Sequence, residues 1–347
     1  MSYGLETYLS DGSLGFSSTL LSHVLVVEFI TYTPFSASVH SYPQYPGSTF
    51  DVLLEGSSTL TLLSLTTVPR VTADIDYSLG YPVVTLATED WPIGNTDPIP
   101  VTIISTSLQV NSDTSGILIY NASSDVAMHA DVGQLTFIGK ATEQSVAADD
   151  FIKQVTYQIS TSVRPQIAIA PKTWSTSAMF EVESVGLDLW EIKIVLAVGS
   201  APASDPYPDI YCFYPPSFID IDTGYGLNVY DSANTPLYSS NEKIANIEEI
   251  LTIHSSGLNS VEYTIDSYTK PAFFGSPLEA GTMAIHNGVL YFVFKICNFV
   301  KISGVTLQWY ISFYEFITQG QGTASGYVIK ELKPSTNLYF IEASDYD

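Results

Sequence analysis

Basic residues are the scarcest feature of this 347-residue chain: twelve Lys and Arg stand against 36 Asp and Glu, for a net charge of −24. Arg70 is the only one before Lys140. Such a surface repels phosphate backbones and anionic lipid, so nucleic-acid binding is not expected. It suits solubility at high copy number and tolerates cations such as Ca²⁺ or a basic protein partner. Cysteine is nearly absent. Cys212 and Cys297 are the only two, too few for a disulfide framework, although one bond between them stays open. Small buried hydrophobes is the favoured reading.

No apolar run reaches the length of a membrane span. The best candidate, residues 289–300, is short, is interrupted by Lys295 and reads as a pair of buried strands. Met1 leads into Ser2–Tyr8 with no basic segment followed by an apolar one, so a cleaved signal peptide is not expected. The chain is expected to remain in the cytoplasm that makes it, or to assemble there into something larger. Catalytic signatures are missing as well: no nucleophile elbow, P-loop, zinc-protease helix motif or paired C-x-x-C occurs. His23, His40, His129, His254 and His286 stand singly, without metal-ligand spacing. No cofactor is expected.

Ser, Thr, Tyr and other residues that suit a pleated, half-buried surface dominate what is present. A repeat organises them. Residues 2–18 and 224–240, laid over each other at an offset of 222, match at Tyr3/Tyr225, Gly4/Gly226, Leu5/Leu227, Tyr8/Tyr230, Ser10/Ser232, Ser17/Ser239 and Ser18/Ser240. A weaker third copy spans 116–131, where Gly116, Ile117, Ile119, Tyr120 and Asn121 stand at the places of Gly226, Leu227, Val229, Tyr230 and Asp231. Gly4, Gly116 and Gly226 lie 112 and 110 residues apart. A period of that size is a domain rather than a solenoid unit, and it fits a compact sandwich.

The expected fold is therefore all-β, with three tandem β-sandwich domains, Ig-like or jelly-roll-like, over 1–112, 113–222 and 223–347. Each copy reads as a β-hairpin that opens its domain. Leu5, Ile117 and Leu227 are expected to face the core, with Tyr8, Tyr120 and Tyr230 on the other face. Asp11-Gly12 supplies a favoured two-residue turn in the first copy. Short strands are expected over 59–68, 99–110, 155–163, 189–198 and 307–317, and the Pro-rich stretches 41–47 and 200–209 read as loops. A brief helix is hinted at over 239–251, where a Ser-capped, acid-rich start precedes Ile247, Ile250 and Leu251.

Paired carboxylates occur at Asp74/Asp76, Glu89/Asp90 and Asp220/Asp222. Asp-x-Asp on a strand puts both groups on one face, which could hold Ca²⁺ or act as a glycosidase pair. A solvated strand face or a domain junction is the simpler account. Trp190 and Trp309 sit in apolar strands and read as core. Trp91, in a polar loop, and the tyrosines Tyr42, Tyr45, Tyr207, Tyr211 and Tyr214 read as candidate contact loops, because Tyr and Trp supply contact area at low entropic cost.

The opening residues Tyr3, Gly4, Leu5, Tyr8, Asp11, Gly12 and Ser17 resemble the N-terminus of a group of tailed-bacteriophage virion structural proteins encoded among tail genes. The likeness covers less than a tenth of the chain per copy, and it departs from the family in being repeated. It brings no catalytic residues. It implies a non-enzymatic virion component of the distal tail (tail tip, fibre or receptor-binding subunit) that works by assembly and host attachment. The implied partners are other virion proteins, further copies of the chain in a homo-oligomer, and a host surface glycan or receptor, without nucleic acid or membrane insertion. The implied location is the virion, assembled in the host cytoplasm and released on lysis. The rival readings are a capsid decoration protein and a polysaccharide-depolymerising tailspike enzyme.

Overall fold

The computed structural model of the chain describes residues 6–8, 14–17, 25–36, 38–54, 70–89, 99–109, 118–120, 126–129, 133–148, 153–172, 176–196, 207–214, 227–230, 236–240, 242–254, 260–265, 268–275, 279–286, 289–303, 305–321, 326–331 and 335–347. These residues form an antiparallel all-β structure, and the one short helical element among them is a terminal 3₁₀ turn, Ala343–Tyr346.

The first third holds a hairpin, β1 (Glu6–Tyr8) and β2 (Leu14–Ser17). Six strands follow: β3 (Leu25–Tyr32), β4 (Ser38–Ser41), β5 (Thr49–Leu54), β6 (Arg70–Asp76), β7 (Val83–Glu89) and β8 (Ile99–Ser107). The second third opens with β9 (Leu118–Tyr120) and β10 (Val126–His129). It continues through β11 (Gly133–Gln134), β12 (Thr136–Lys140), β13 (Thr142–Ala148), β14 (Lys153–Ser160) and β15 (Gln166–Ala170). It ends with β16 (Thr176–Gly186), β17 (Leu189–Leu196) and β18 (Asp209–Tyr214). The last third opens with β19 (Asn228–Tyr230) and β20 (Pro236–Ser239). Then come β21 (Glu249–His254), β22 (Val261–Thr264), β23 (Pro271–Phe274) and β24 (Glu279–His286). The last four are β25 (Leu290–Ser303), β26 (Thr306–Gln321), β27 (Gly326–Glu331) and β28 (Ser335–Glu342).

The three repeat copies fold as hairpins with one register. Tyr8 pairs with Leu14, Thr7 with Phe16 and Glu6 with Ser17. Tyr120 pairs with Val126, Ile119 with Met128 and Leu118 with His129. Tyr230 pairs with Pro236, Val229 with Tyr238 and Asn228 with Ser239. Each hairpin breaks register at the same step, so Gly15, Ala127 and Leu237 are equivalent bulge residues. The faint middle copy is thus the same structural unit. The bulge position carries Gly, Ala or Leu in the three copies. The repeated serine also has a reason: Ser240 Oγ accepts from Leu227 N–H, and Ser240 N–H donates to the Leu227 carbonyl. The Asp11-Gly12 turn lies outside the described residues.

The same winding then recurs three times. In the first third, first, last and third strands form one sheet (β3-β8-β5, with β11 added beside β3), and second, fifth and fourth form another (β4-β7-β6). In the second, β12-β18-β15 and β14-β17-β16 repeat that order, with β13 added beside β14. In the last, β21-β28-β23 and β22-β26-β25 repeat it again, with β24 added beside β25 and β27 beside β24. First strand with last, and second with fifth, is the nested pairing of a jelly roll shortened to six strands.

The modules are not strung out separately. Ile169 of β15 pairs with Phe273 of β23, so the third strands of the second and last modules join their sheets into one of six strands. Thr176 and Ser177 of β16 pair with Val300 and Phe299 of β25, joining the companion sheets through their fourth strands. Both junctions are antiparallel and like meets like, which relates the two modules by a local two-fold. The chain forms four stacked layers. One core, with Ile30, Tyr32, Val52, Val71, Val84 and Val101, lies between the two sheets of the first module. A second, with Val155, Ile169, Ile192, Phe273, Trp309 and Phe340, lies between the two joint sheets. A third, described below, glues the first module to the six-stranded sheet.

Two expectations need correction. The described residues of 239–251 form no helix. Ile244, Ala245, Asn246 and Ile247 are buried consecutively, and Phe137 N–H bonds the Lys243 carbonyl while Ala245 N–H bonds the Leu135 carbonyl. Pairing with another segment overrides the local helical signal. Residues 289–300 are not a strand pair either; from Leu290 onward they belong to the single strand β25, held along its length by β26. Of the expected strands, 59–68 falls outside the described residues; the other four correspond to β8, β14, β17 and β26.

Candidate functional site

The third core fixes how the first module sits. Val26, Leu53 and Ile104 of that module pack on Ala168, Ala170, Phe213, Ala272, Phe274, Tyr339 and Ile341 of the six-stranded sheet. Alanines on this face let two sheets approach while Phe and Tyr fill the space between them. Strand β15 is accordingly buried at every position, as expected for a strand covered on both faces. Two polar pins cross the interface. Gln166 Nε2 donates to Thr102 Oγ1 at 2.9 Å. Asp51 Oδ2 accepts from Tyr339 OH at 2.6 Å and from Asn337 Nδ2 at 3.0 Å, while its Oδ1 accepts from Val52 N–H.

At the margin of the same sheet, several of the scarce lysines gather. Asp209 meets Lys270 at 2.6 Å, Lys172 at 2.8 Å and Lys140 at 3.7 Å. Asp347 meets Lys140 at 2.8 Å and Lys270 at 3.0 Å, and accepts from Tyr211 OH at 2.7 Å. Both ammonium groups also lie over the Tyr211 ring. Burial alone would raise the Asp209 carboxyl, but Lys172 and Lys270 outweigh it and hold it below the ordinary Asp range. Asp347 is likewise held well down, burial being outweighed by Lys140, Tyr211 and Lys270. Lys270 is raised, because bonds to Asp209, Tyr211 and Asp347 outweigh its burial.

The cluster staples residues of the second module to the end of the last one. Its members are partly exposed, so each pair contributes little, and the network acts together. Both carboxyls have depressed folded-state values. Their contribution is therefore present above the unfolded Asp range, around pH 4, and is lost as pH falls through and below it. Urea midpoints should fall from pH 7 to pH 3, and Lys270→Ala should flatten that slope. Equal slopes in the two proteins would sink the staple.

The surface carries a second repeated feature. The hairpin between fourth and fifth strands ends in an exposed aliphatic residue in every module: Leu79 at 64 % exposure, Leu187 at 94 % and Val305 at 44 %. Leu187 is the most exposed of these, and its hairpin end is tied down. Asp188 takes a positive φ of 53°, uncommon for a residue with a side chain. Its carbonyl accepts from Thr161 N–H and from Ser160 Oγ, while Trp190 Nε1 donates to the Thr161 carbonyl. A fixed apolar tip of this kind is suited to contact, and Leu187→Asp is expected to weaken any assembly that uses it without lowering the thermal midpoint. A light-scattering comparison of the two proteins measures both.

The residues singled out in the sequence fall elsewhere. Tyr42 and Tyr45 are not contact-loop residues: both are buried in the first core and pack on Phe50, at 5.0 and 6.1 Å between ring centres. Tyr211 and Tyr214 belong to β18 rather than a loop, and Tyr211 is fully buried. Tyr207 is partly buried against the second core, and Trp91 lies outside the described residues. Leu227 is 38 % exposed instead of facing the core, while Val229 and Tyr238 fill the hairpin interior and Tyr230 is exposed. Tyr3, Gly4, Leu5, Gly116, Ile117, Tyr225 and Gly226 lie outside the described residues; Tyr8 and Tyr120 are placed on β1 and β9.

Asp74 and Asp76 share a face of β6, but Asp76 is engaged by Ser78 N–H and Oγ as a turn cap. No cluster of metal-ligating side chains occurs among the described residues, and no described helix is long and apolar enough to cross a membrane. Cys212 is a free, buried thiol that burial pushes up. Sequence reasoning missed Lys140, Lys172, Lys270, Asp209 and Asp347, which are far apart in the chain and carry no local motif. No protein-family model, curated protein or solved structure matches the chain.

Proposed function

We propose that this chain is a virion structural protein of a tailed phage, built into the distal tail as a tip, fibre or receptor-binding subunit, and that it works by assembly and binding. The observation that carries an assembling role is the recurrence of an exposed aliphatic residue at one hairpin end in three modules of identical winding. Two joined double sheets and a third docked module make a stiff body, and stiffness keeps such contact points at fixed separations. The acidic surface keeps the free subunit soluble before assembly. The tail placement rests on the likeness of the opening hairpin to tail-gene proteins.

Cryo-electron microscopy of particles containing the protein tests the reading. A few copies at the distal tail are expected. Hundreds of copies on the shell would replace the tail assignment by capsid decoration, and absence from purified particles would remove the virion role altogether.

A further inference from the structure

The two sheets of the first module meet at a rim formed by β3 and β4, and a compact polar constellation sits there. Ser38 and His40 are two residues apart on β4, so they share a face. Both are half-buried, whereas Val39 and Ser41 are exposed. Ser38 Oγ lies 2.6 Å from His40 Nε2. Across the rim, His40 Nδ1 lies 3.4 Å from Glu28 Oε2 on β3. That same carboxylate oxygen accepts from the Tyr42 hydroxyl, whose proton is retained because burial, and then Glu28, push its titration upward.

With the imidazole proton on Nδ1, the nitrogen that faces the Glu28 carboxylate, the Nε2 lone pair is left for the Ser38 hydroxyl. Tyr42, fixed by its packing on Phe50, in turn holds Glu28. The β3–β4 turn is strained: Phe35 has a φ of 67°, and its N–H is held by Thr88 Oγ1. Strain of this sort costs about 1–3 kcal/mol and tends to collect at functional sites. Tyr42 N–H faces β7 through its bond to the Pro82 carbonyl. Strand alternation therefore turns Val39 N–H to the outer edge of β4, where no strand among the described residues pairs with it.

We propose that Ser38, His40 and Glu28 form an acyl-transfer centre, with Ser38 as nucleophile, His40 as general base, Glu28 as the group that orients the base, and Val39 N–H as an oxyanion donor. The substrates it fits are small acyl esters, acetyl esters being the simplest, because the group sits at a rim reached from solvent. Ser38 Oγ bonds to the acyl carbon as its proton passes to His40 Nε2. The ester C–O bond breaks, and the alcohol leaves carrying that proton. Water then adds to the acyl-serine, giving its proton to Nε2; Ser38 Oγ leaves and takes it back. The net change is ester plus water to acid plus alcohol. The step needs no metal or redox partner.

The test uses the full chain with p-nitrophenyl acetate and a fluorophosphonate probe. A single adduct on Ser38 is expected, and Ser38→Ala or His40→Ala should lower hydrolysis by about 100-fold or more. Glu28→Gln, a positioning change, should lower kcat with KM little altered. Ser41→Ala, on the opposite face of β4, should leave the rate unchanged. Ser38→Cys guards against misfolding, since it keeps a nucleophile beside His40 and should be alkylated by iodoacetamide faster than buried Cys212. No adduct on Ser38, undiminished hydrolysis by Ser38→Ala, or a Ser38→Cys thiol no more reactive than Cys212 would each overturn the centre.

Discussion

Replacing Tyr346 by Ala is expected to destabilise the fold by about 3–5 kcal/mol, the range for removing a large buried aromatic side chain. The terminal turn Ala343–Tyr346 packs on the six-stranded sheet as a wedge. Tyr346 is fully enclosed there, its ring 5.1 Å from Phe137 and 5.4 Å from Phe213 between centres. Its hydroxyl donates to the Ile244 carbonyl at 2.7 Å and accepts from Asn246 N–H at 2.9 Å. It therefore completes the backbone of the very segment that departs from a helix. Tyr346→Phe keeps the ring and removes only those two bonds, and it should cost about 1–3 kcal/mol, the penalty of leaving buried polar groups unpaired. Urea unfolding of the two variants separates ring from hydroxyl. If Tyr346→Ala unfolds within about 1 kcal/mol of the parent, well below the truncation range, the wedge does not hold the sheet.

Asp51→Ala is the second large effect. Asp51 is buried at the interface between the first module and the six-stranded sheet, and the Tyr339 hydroxyl that donates to it is fully enclosed. Burial, then Asp51, raises the titration of that hydroxyl, so it remains a donor. Removing the carboxylate leaves the hydroxyl without this acceptor, at a cost of about 3 kcal/mol for a charge-assisted bond and the buried donor left behind. The loss should be uneven: amide exchange should quicken in β5 and β8, which carry Leu53 and Ile104 onto the interface. Pairing Asp51→Leu with Tyr339→Phe removes donor and acceptor together and should recover part of the loss, the remainder belonging to Asn337 Nδ2, which donates to both groups. A double variant as unstable as the sum of the single ones would show that the pin is not a pair interaction.

Particular residues show how far the chain could be read in advance. The strands over β8, β14, β17 and β26 follow from β-branched and aromatic runs, which act locally. Tyr42 and Tyr45 misled, because a Pro-rich turn looks exposed in sequence; here the turn folds back so that both rings lie on Phe50. The Ser38–His40–Glu28 group was equally hidden. His40 looks isolated along the chain, and only the meeting of β3 and β4 at the rim brings Glu28 to it. The lysine and carboxylate staple draws on residues 140, 172, 209, 270 and 347 for the same reason: charges interact through space, not along the backbone.

By itself the sequence determined the all-β class, the strand-forming runs and the thrice-used opening hairpin, since propensity and repetition are properties of neighbouring residues. Tertiary structure alone decided that the second and last modules share two sheets, joined at Ile169–Phe273 and Thr176–Val300, and that the first module docks on the six-stranded one through Leu53 and Ile104. Edge pairing is made by backbone groups that every residue carries, so no side-chain pattern announces which edges will meet. Burial on the second face of a sheet, as at Ala168 and Ala170, depends on what is stacked above it, and that is settled only when the layers close.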